Sequence, residues 1–424
     1  MPGQTIREDA TTATARNFRA LWTGTAVTNL ADGVFKLTLP LIAVSMTDSP
    51  ALVAAATLAN TLPWLLFALP AGVFADRLDR RDLIMVATGG RIIVVAALLV
   101  CLLGDVLTLP ALYVMAVLLG VGEVFADTTR MSVIQMVVPR SRVESAFAKL
   151  TATETVANEF VGPPLGGLLA AMGFALAVGA SGMGYLVALV ALAVMAGSYR
   201  GAGQAVPTMI RTDIKAGLQY VWSERTLRSL LLVAGGASGC WAGWNAVVAL
   251  YAVAPGPLGL SRAAFGLLIG MLGVGGFIGA AAAPAMIRRV GRRVVLVGSM
   301  ASYAVFLAAP AASTAPYLIA ATTFLGGLGA GAWNVTYSAL RALVVPDEMM
   351  GRYSGVSRLT SWGSMPVGAL LAGVIAEVAG VRAVFGLGGA ICLFLLLVTM
   401  RTVSSDDFRR MAERARQGSG KVAV

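Results

Sequence analysis

The sequence contains no histidine. Histidine is the commonest zinc ligand and the usual proton carrier near neutral pH, so any proton handling must rest on carboxylates. Only three cysteines are present, and Cys101, Cys240 and Cys392 fall in three separate apolar runs, which favours neither a disulfide framework nor a metal cluster. We therefore expect no metal site and no bound cofactor.

Charge is also scarce, because Asp, Glu, Lys and Arg make up only 12% of the 424 residues while hydrophobic residues make up 58% and the mean hydropathy is +0.80. A water-soluble fold carries roughly 25% charged residues. Runs long enough to cross about 30 Å of hydrocarbon recur along the chain. The pattern predicts an all-α integral membrane protein with twelve spans, at 18–46, 51–74, 83–103, 107–128, 147–172, 174–195, 227–253, 263–287, 294–312, 316–345, 353–378 and 381–400.

The net charge of +11 raises the question of a nucleic-acid partner. All but four of the 32 Lys and Arg residues, however, lie in or beside the loops on one side of the twelve-span arrangement; the exceptions are Lys36, Arg91, Arg262 and Arg382. This asymmetry predicts an inner-membrane protein with both termini in the cytoplasm. A basic surface facing anionic lipid headgroups then accounts for the charge, and no nucleic-acid partner is expected.

A polar interruption at 198–228 divides the spans into two sets of six. The sequence predicts a cytoplasmic tail at 1–17, a first bundle at 18–198, a linker with a short amphipathic helix at 199–226, a second bundle at 227–401 and a basic tail at 402–424. The halves also echo each other, because GVFADRLDRR at 72–81 is similar to PAMIRRVGRR at 284–293, and 126–139 is similar to 333–346. Two related six-helix bundles are the expected product of duplication.

The loop after the second span resembles the signature loop of the major facilitator superfamily. The matching residues are Gly72, Asp76, Arg77, Arg80 and Arg81, with Asp79 where the family has glycine. The resemblance implies that the loop latches the cytoplasmic side, with Asp127 on span four as the partner of Arg80 and Arg130 one turn beyond. Alternatively, the arginines merely fix the topology.

The fifth span contains Gly162, Pro163, Gly166 and Gly167 in the string GPPLGG, which resembles the motif that marks antiporters in this superfamily, with Asn158 replacing a further glycine. The string beginning at 213, DIKAGLQYVW, resembles the macrolide-efflux and enterobactin-exporter group. These resemblances imply proton-coupled efflux. An ordinary proline kink remains the alternative for the fifth span.

Charged residues inside the bilayer are costly and are candidates for function. Asp32 in span one, Glu123 in span four and Glu159 in span five are the predicted proton-coupling residues, with Glu154 a weaker candidate. Lys36 lies four residues from Asp32, so a permanent pair between them is the structural alternative. Arg91 and Arg358 could pair with these acids or lie at the cytoplasmic boundary and extend their charged groups toward water, and the boundary position is the one expected.

Spans seven and ten carry aromatic and amide side chains, and by the family resemblance these spans are expected to line the central cavity. Substrate binding is predicted for Trp241, Asn245, Trp333, Asn334 and Tyr337. An interfacial or packing role is the alternative for each tryptophan.

Taken together, these features predict a monomeric secondary transporter that exports a small, apolar or amphipathic compound, drug-like, macrolide-like or siderophore-like, in exchange for protons. Its partners would be that molecule, protons and membrane lipid. An uptake carrier of the same fold and a non-transporting sensor are alternatives. A multi-span prenyl or glycosyl transferase would need a clustered aspartate motif, which the sequence does not contain.

Overall fold

The computed structural model describes residues 2–139, 142–195, 197, 199–200, 218–219, 221–345 and 347–402. Within these ranges the chain forms helices joined by short connections, which confirms the predicted all-α class. The helices are α1 (Pro2–Met46), α2 (Pro50–Arg77), α3 (Arg80–Leu103), α4 (Leu109–Val137), α5 (Val143–Glu154), α6 (Gly162–Met172), α7 (Phe174–Ala193), α8 (Arg225–Ala252), α9 (Arg262–Val290), α10 (Arg292–Ala312), α11 (Pro316–Val344), α12 (Asp347–Ala379) and α13 (Val381–Thr402).

Eleven of the described helices are long and apolar enough to cross a membrane. The predicted fifth span is the twelfth, and it is continuous from Val143 to Met172 but divided by a π-helical segment, Thr155–Val161. Pro163 and Pro164 lack N–H groups and crowd the carbonyls one turn earlier. The chain widens there, and the Gly162 N–H bonds to the Ala157 carbonyl five residues back.

Several helices extend beyond their predicted ends. The first begins at Pro2 instead of residue 18, α4 continues to Val137 instead of 128, and α12 begins at Asp347 instead of 353. Hydropathy detects only the part of a helix that lies in hydrocarbon, whereas backbone hydrogen bonds carry the helix further into water. Most of the predicted linker helix and nearly all of the C-terminal tail lie outside the described residues, although 218–219 and 221–223 are helical.

The chain divides into two compact units near residue 206, inside the predicted linker. Unit 1 contains residues 1–48, 59–206 and 260–270, and unit 2 contains 49–58, 207–259 and 271–424. In unit 1, α1 packs against α7 and the fifth span, and α3 packs against α4 and α7. In unit 2, α8 packs against α12 and α13, and α10 packs against α11 and α13.

Glycines bring α9 and α11 into backbone contact in unit 2. A Cβ placed on Gly279 would lie 2.9 Å from the Leu328 Cα and closer still to the Leu328 carbonyl group. Gly331 meets the backbone of Gly276 in the same way. Small residues allow this approach between membrane helices, so the helix pair depends on them.

Gly279→Ala is therefore expected to destabilise the protein by about 1–3 kcal/mol, because the added methyl group meets backbone that has no room to give. The matched control is Gly298→Ala in α10, where a Cβ would meet nothing within 4 Å. Thermal unfolding of both purified variants measures the difference. Equal melting temperatures would show that the α9–α11 contact is not needed for stability.

Candidate functional site

The first cluster of unit 1 is a fully buried ion pair between α1 and α3. Asp32 and Arg91 are each only 2% exposed, and the Asp32 Oδ1 accepts hydrogen bonds from the Arg91 Nη2 and, at 2.7 Å, from the Tyr185 hydroxyl. The Arg91 Nη2 also donates to the Tyr185 hydroxyl at 2.8 Å, and its guanidinium carbon lies 4.1 Å from the centre of the Tyr185 ring. The charge of Asp32 is thus matched locally by a permanent cation.

The second cluster is the ion pair between Lys36 and Glu123, one turn along α1 from the first. The Lys36 Nζ lies 2.9 Å from the Glu123 Oε1, and the Lys36 side chain is 39% exposed while the Glu123 side chain is 6% exposed. The charge of Lys36 also acts on Asp127, Glu154 and Glu159. Glu123 is therefore a buried carboxylate, and its partner Lys36 is partly accessible at the protein surface.

These pairs differ from the sequence expectations in two respects. Asp32 and Lys36 are four residues apart on one helix, yet each pairs with a neighbouring helix, because α3 and α4 bring closer partners. The expectation that Arg91 lies at the cytoplasmic boundary is wrong, since it is buried against Asp32. The side chain of Arg358 is exposed.

A third group of charges surrounds a small cavity of about 20 Å³ between α1, α4 and α5. Asp127 and Arg130 pair across one turn of α4 at 3.0 Å, and both line the cavity together with Glu154 and Thr25. This volume is enough for about one water molecule. Asp127 thus takes Arg130 as its partner instead of the expected Arg80.

The π-helical segment positions Glu159 and packs the fifth span tightly on α1. A Cβ on Gly33 would lie 3.0 Å from the Asn158 Cα, and one on Gly162 would lie 2.6 Å from the Gly33 Cα. Asn158, where the family motif has glycine, donates to the Asn29 side chain at 3.3 Å. The side chain of Glu159 is exposed.

The remaining glycines of the GPPLGG string serve the same close packing. A Cβ on Gly166 would lie 2.9 Å from the Val34 carbonyl oxygen, and one on Gly167 would lie 2.7 Å from the Cα of Gly266 at the start of α9. Pro163 is buried beside them. This string therefore joins α1, the fifth span and the first turns of α9 within unit 1.

Asp79, at the position where the family has glycine, stabilises the loop after α2 through its side chain. It caps α3 by accepting the Arg81 N–H at 3.0 Å, and its second oxygen accepts the Tyr199 N–H at 3.0 Å. Gly291, the equivalent residue of the second half, has φ +85° and no side chain to offer. Burial raises the pKa of the Tyr199 phenol, with Arg81 opposing and Asp79 adding to the change.

The predicted gating residues of this loop make several contacts within unit 1. Arg80 lies 3.4 Å from Asp76 and donates to the Met136 sulfur on α4 at 2.9 Å. Arg81 donates to the carbonyls of Leu192 and Ala193 at the end of α7, which suits a cation at a helix C-terminus. Gly72 has open space around it, and Arg77 is exposed.

In unit 2, the aromatic members of the predicted binding set lie in two stacked pairs, one of which is completed by Trp244. Trp241 stacks on Trp244 at 5.5 Å between ring centres, and Trp333 stacks on Tyr337 at 6.1 Å. Trp244 is buried in the core, whereas Trp241 is half-buried. Asn245 is half-buried and Asn334 is exposed, so both amides remain accessible in part.

A hydrogen-bonded group that the sequence did not indicate fixes one of these pairs. The Tyr337 hydroxyl lies 2.7 Å from the Tyr353 hydroxyl and 3.3 Å from the Ser357 hydroxyl on α12. Tyr185 was missed in the same way, because a tyrosine in an apolar span gives no signal of its own. Arg91 could be singled out in the sequence because it is a charged residue within an apolar span. Its partner, Asp32, could be identified only from the way the helices pack.

Paired charges and aromatic pairs on helices long and apolar enough to cross a membrane are typical of multi-span transporters. Residues 11–418 match the model of a family described as transmembrane secretion effectors. The chain belongs to this family, within the major facilitator superfamily, as the resemblance implied.

Curated relatives carry efflux names. The chain is 26% identical over 340 residues to the multidrug efflux pump Tap of Mycolicibacterium fortuitum, covering 77% of this chain and 81% of that protein. It is also 26% identical over 371 residues to the multidrug efflux pump Tap of Mycobacterium tuberculosis, covering 84% and 85%.

Solved structures of low identity share the fold. The nucleoside transporter NupG superposes with a TM-score of 0.71 at 12% identity, covering 91% of this chain and 98% of that chain. A bacterial homologue of the iron transporter ferroportin gives a TM-score of 0.72 at 16% identity, covering 91% and 98%. Together with the described helices, they support the twelve-helix fold.

Asp32→Asn is expected to destabilise the protein by about 3–5 kcal/mol, because Arg91 would be left as an uncompensated buried charge. Asp32→Asn combined with Arg91→Gln removes both charges and should recover most of that loss. Thermal unfolding of the two variants and the unchanged protein measures the effect. If the single and double variants unfold at the same temperature, the pair does not act as a buried ion pair.

Proposed function

We propose that this transporter is an exporter that exchanges protons for a small, apolar or amphipathic compound by alternating access. The observation that carries the proposal is the pair of Lys36 and Glu123 in unit 1, a covered carboxylate held by an accessible cation. The efflux names of the curated relatives support the direction. The proton gradient takes the place of a cofactor.

Glu123 is the first of the proposed proton carriers. A carboxylate in a low-dielectric setting favours its charged form only while a cation stays close. Since Lys36 is the more exposed partner, water reaches it first, and its displacement leaves Glu123 to bind a proton. Substrate binding that returns Lys36 to Glu123 expels that proton, which completes one exchange.

Asp32 and Glu159 are proposed to have secondary roles in proton coupling. Asp32 is held by Arg91 and Tyr185, so it takes up a proton only when that buried pair opens. Glu159 is exposed on the π-helical segment and feels the charge of Lys36, which suits a group that passes protons toward Glu123. π-Helical turns inside α-helices often occur at functional sites.

Substrate contact is proposed for Trp241, Asn245, Trp333, Asn334 and Tyr337. Aromatic faces with a few amide and hydroxyl groups suit a bulky, weakly polar ligand. The half-buried faces of Trp241 and Tyr337 are the best placed, since Trp333 is buried.

The proposed setting is the inner membrane with both termini in the cytoplasm, which follows from the distribution of Lys and Arg. There the residues of the loop after α2, together with Asp127 and Arg130, would gate the cytoplasmic side. We propose a monomer that needs only substrate, protons and lipid, without a nucleic-acid partner.

Glu123→Gln is expected to abolish uphill export while substrate binding persists, because the amide cannot bind and release a proton. The measurement is accumulation of toxic dyes and antibiotics in cells with and without the protein, with a protonophore added in parallel. The protonophore should raise accumulation only in cells carrying the unchanged protein.

Asp105→Asn is the matched control for that experiment. Asp105 lies in the turn between α3 and α4 with φ +54°, a conformation that asparagine accepts readily, so export should persist. Gradient-driven export by Glu123→Gln at the unchanged rate would remove Glu123 from the mechanism. Uptake in inside-out vesicles measures the direction of transport directly.

Trp241→Ala is expected to raise the KM for an aromatic substrate by roughly 3–10-fold, since an aromatic contact contributes about 0.5–1.5 kcal/mol. The maximal rate should change little. Phe394→Ala, which removes an aromatic ring that is 64% exposed on α13, is the control. An unchanged KM in Trp241→Ala would place Trp241 outside the binding surface.

A further inference from the structure

Arg91 has more hydrogen-bonding capacity than its two partners use. Its Nη2 donates to both Asp32 and Tyr185, whereas its Nε and Nη1 are buried and have no acceptor among the described residues. A buried donor without an acceptor costs free energy, and the cost is larger for a charged group. The guanidinium is therefore equipped for one more acceptor.

The backbone of α4 lies directly against the Arg91 side chain at Gly122, the residue before Glu123. A Cβ on Gly122 would lie 2.5 Å from the Arg91 Cγ and 2.9 Å from its Cδ. The Arg91 charge also acts on the Glu123 carboxylate. Glu123 is thus the acidic residue of α4 that directly follows the contact with Arg91 and is influenced by the Arg91 charge, although it binds Lys36 in this structure.

We propose that Arg91 is a positioning residue for proton exchange, and that the Glu123 side chain alternates between Lys36 and the unused donors of Arg91. This inference rests on the proposed function, in which Glu123 binds the proton. When Glu123 joins Asp32 around Arg91, two carboxylates share one cation, and the excess negative charge is removed by binding one proton. Movement of Glu123 to Arg91 therefore takes up a proton and frees Lys36.

The surrounding charges set the background for this exchange. Arg130 and Asp127 lie on α4, Glu154 and Glu159 lie on the fifth span, and Tyr185 lies on α7; each acts on Glu123, on Lys36 or on the Asp32–Arg91 pair. All of these residues are unchanged in the variants described next. A change in pH dependence would then come from Arg91 and Asp32.

The test measures the protonated form of Glu123 directly. A hydrophobic carbodiimide reacts with protonated buried carboxyl groups, and mass spectrometry of the purified full-length protein locates the adduct across a range of pH. Glu123→Gln confirms the site of labelling. Asp32→Asn combined with Arg91→Gln removes the proposed second position without leaving an unpaired charge.

The expected result is that labelling of Glu123 in this double variant needs at least tenfold more acid, because the position that binds the proton has gone. Arg91→Lys should shift in the same direction, since its single ammonium keeps the pair with Asp32 but not the additional donors. Asp105→Asn, in the turn between α3 and α4, leaves the Asp32–Arg91 pair and its neighbours unchanged and should label like the unchanged protein.

If Arg91 served only to hold helices together, the pH profile of labelling would be the same in all of these folded variants, and that result overturns the inference. Arg91→Lys keeps the buried ion pair, so it decides the matter even where the double variant does not fold. Failure of the proposed function would look different. In that case Glu123→Gln would retain proton-driven export regardless of what happens at Arg91.

Discussion

The packing of the helices in unit 1 depends on the free-energy cost of placing charged groups in hydrocarbon. Asp32, Glu123, Lys36 and Arg91 all lie within membrane-spanning helices, and each is matched by an opposite charge from a neighbouring helix. An unpaired charge there would cost several kcal/mol, so the pairs decide which helix faces meet. In the proposed mechanism the same cost drives proton binding, because a carboxylate in hydrocarbon that loses its cation is stabilised by taking up a proton.

The two pairs differ in accessibility, and the proposed mechanism assigns structural support to the enclosed pair and proton exchange to the open one. Asp32 and Arg91 are enclosed, with the Tyr185 phenol completing the set. The Lys36 side chain is partly open, while its partner Glu123 is covered. A pair with one open member can exchange that member for another cation, whereas an enclosed pair must first separate from its neighbours. In the proposed exchange Arg91, which has unused donors, connects the two pairs.

Much of the fold could be predicted from the sequence, because hydropathy follows directly from the thickness of the bilayer. Composition predicted helical spans. The prolines of the GPPLGG string indicated an irregular fifth helix, and the structure has a π-helical segment there, directly before the string and packed against Gly33. Side-chain partners could not be predicted, since they depend on how helices rotate against one another. The boundary position expected for Arg91 is wrong for that reason, and Asp79 could not be identified as a helix cap from a missing glycine.

The central claim is that substrate and proton compete through the Glu123 carboxylate. Linked binding is reciprocal, so a substrate that expels a proton must bind more tightly as pH rises. The most direct measurement is proton release into weakly buffered solution when substrate is added to the purified protein. The account predicts release of about one proton for each substrate bound by the unchanged protein, and none by Glu123→Gln. Equal release by both proteins would contradict it.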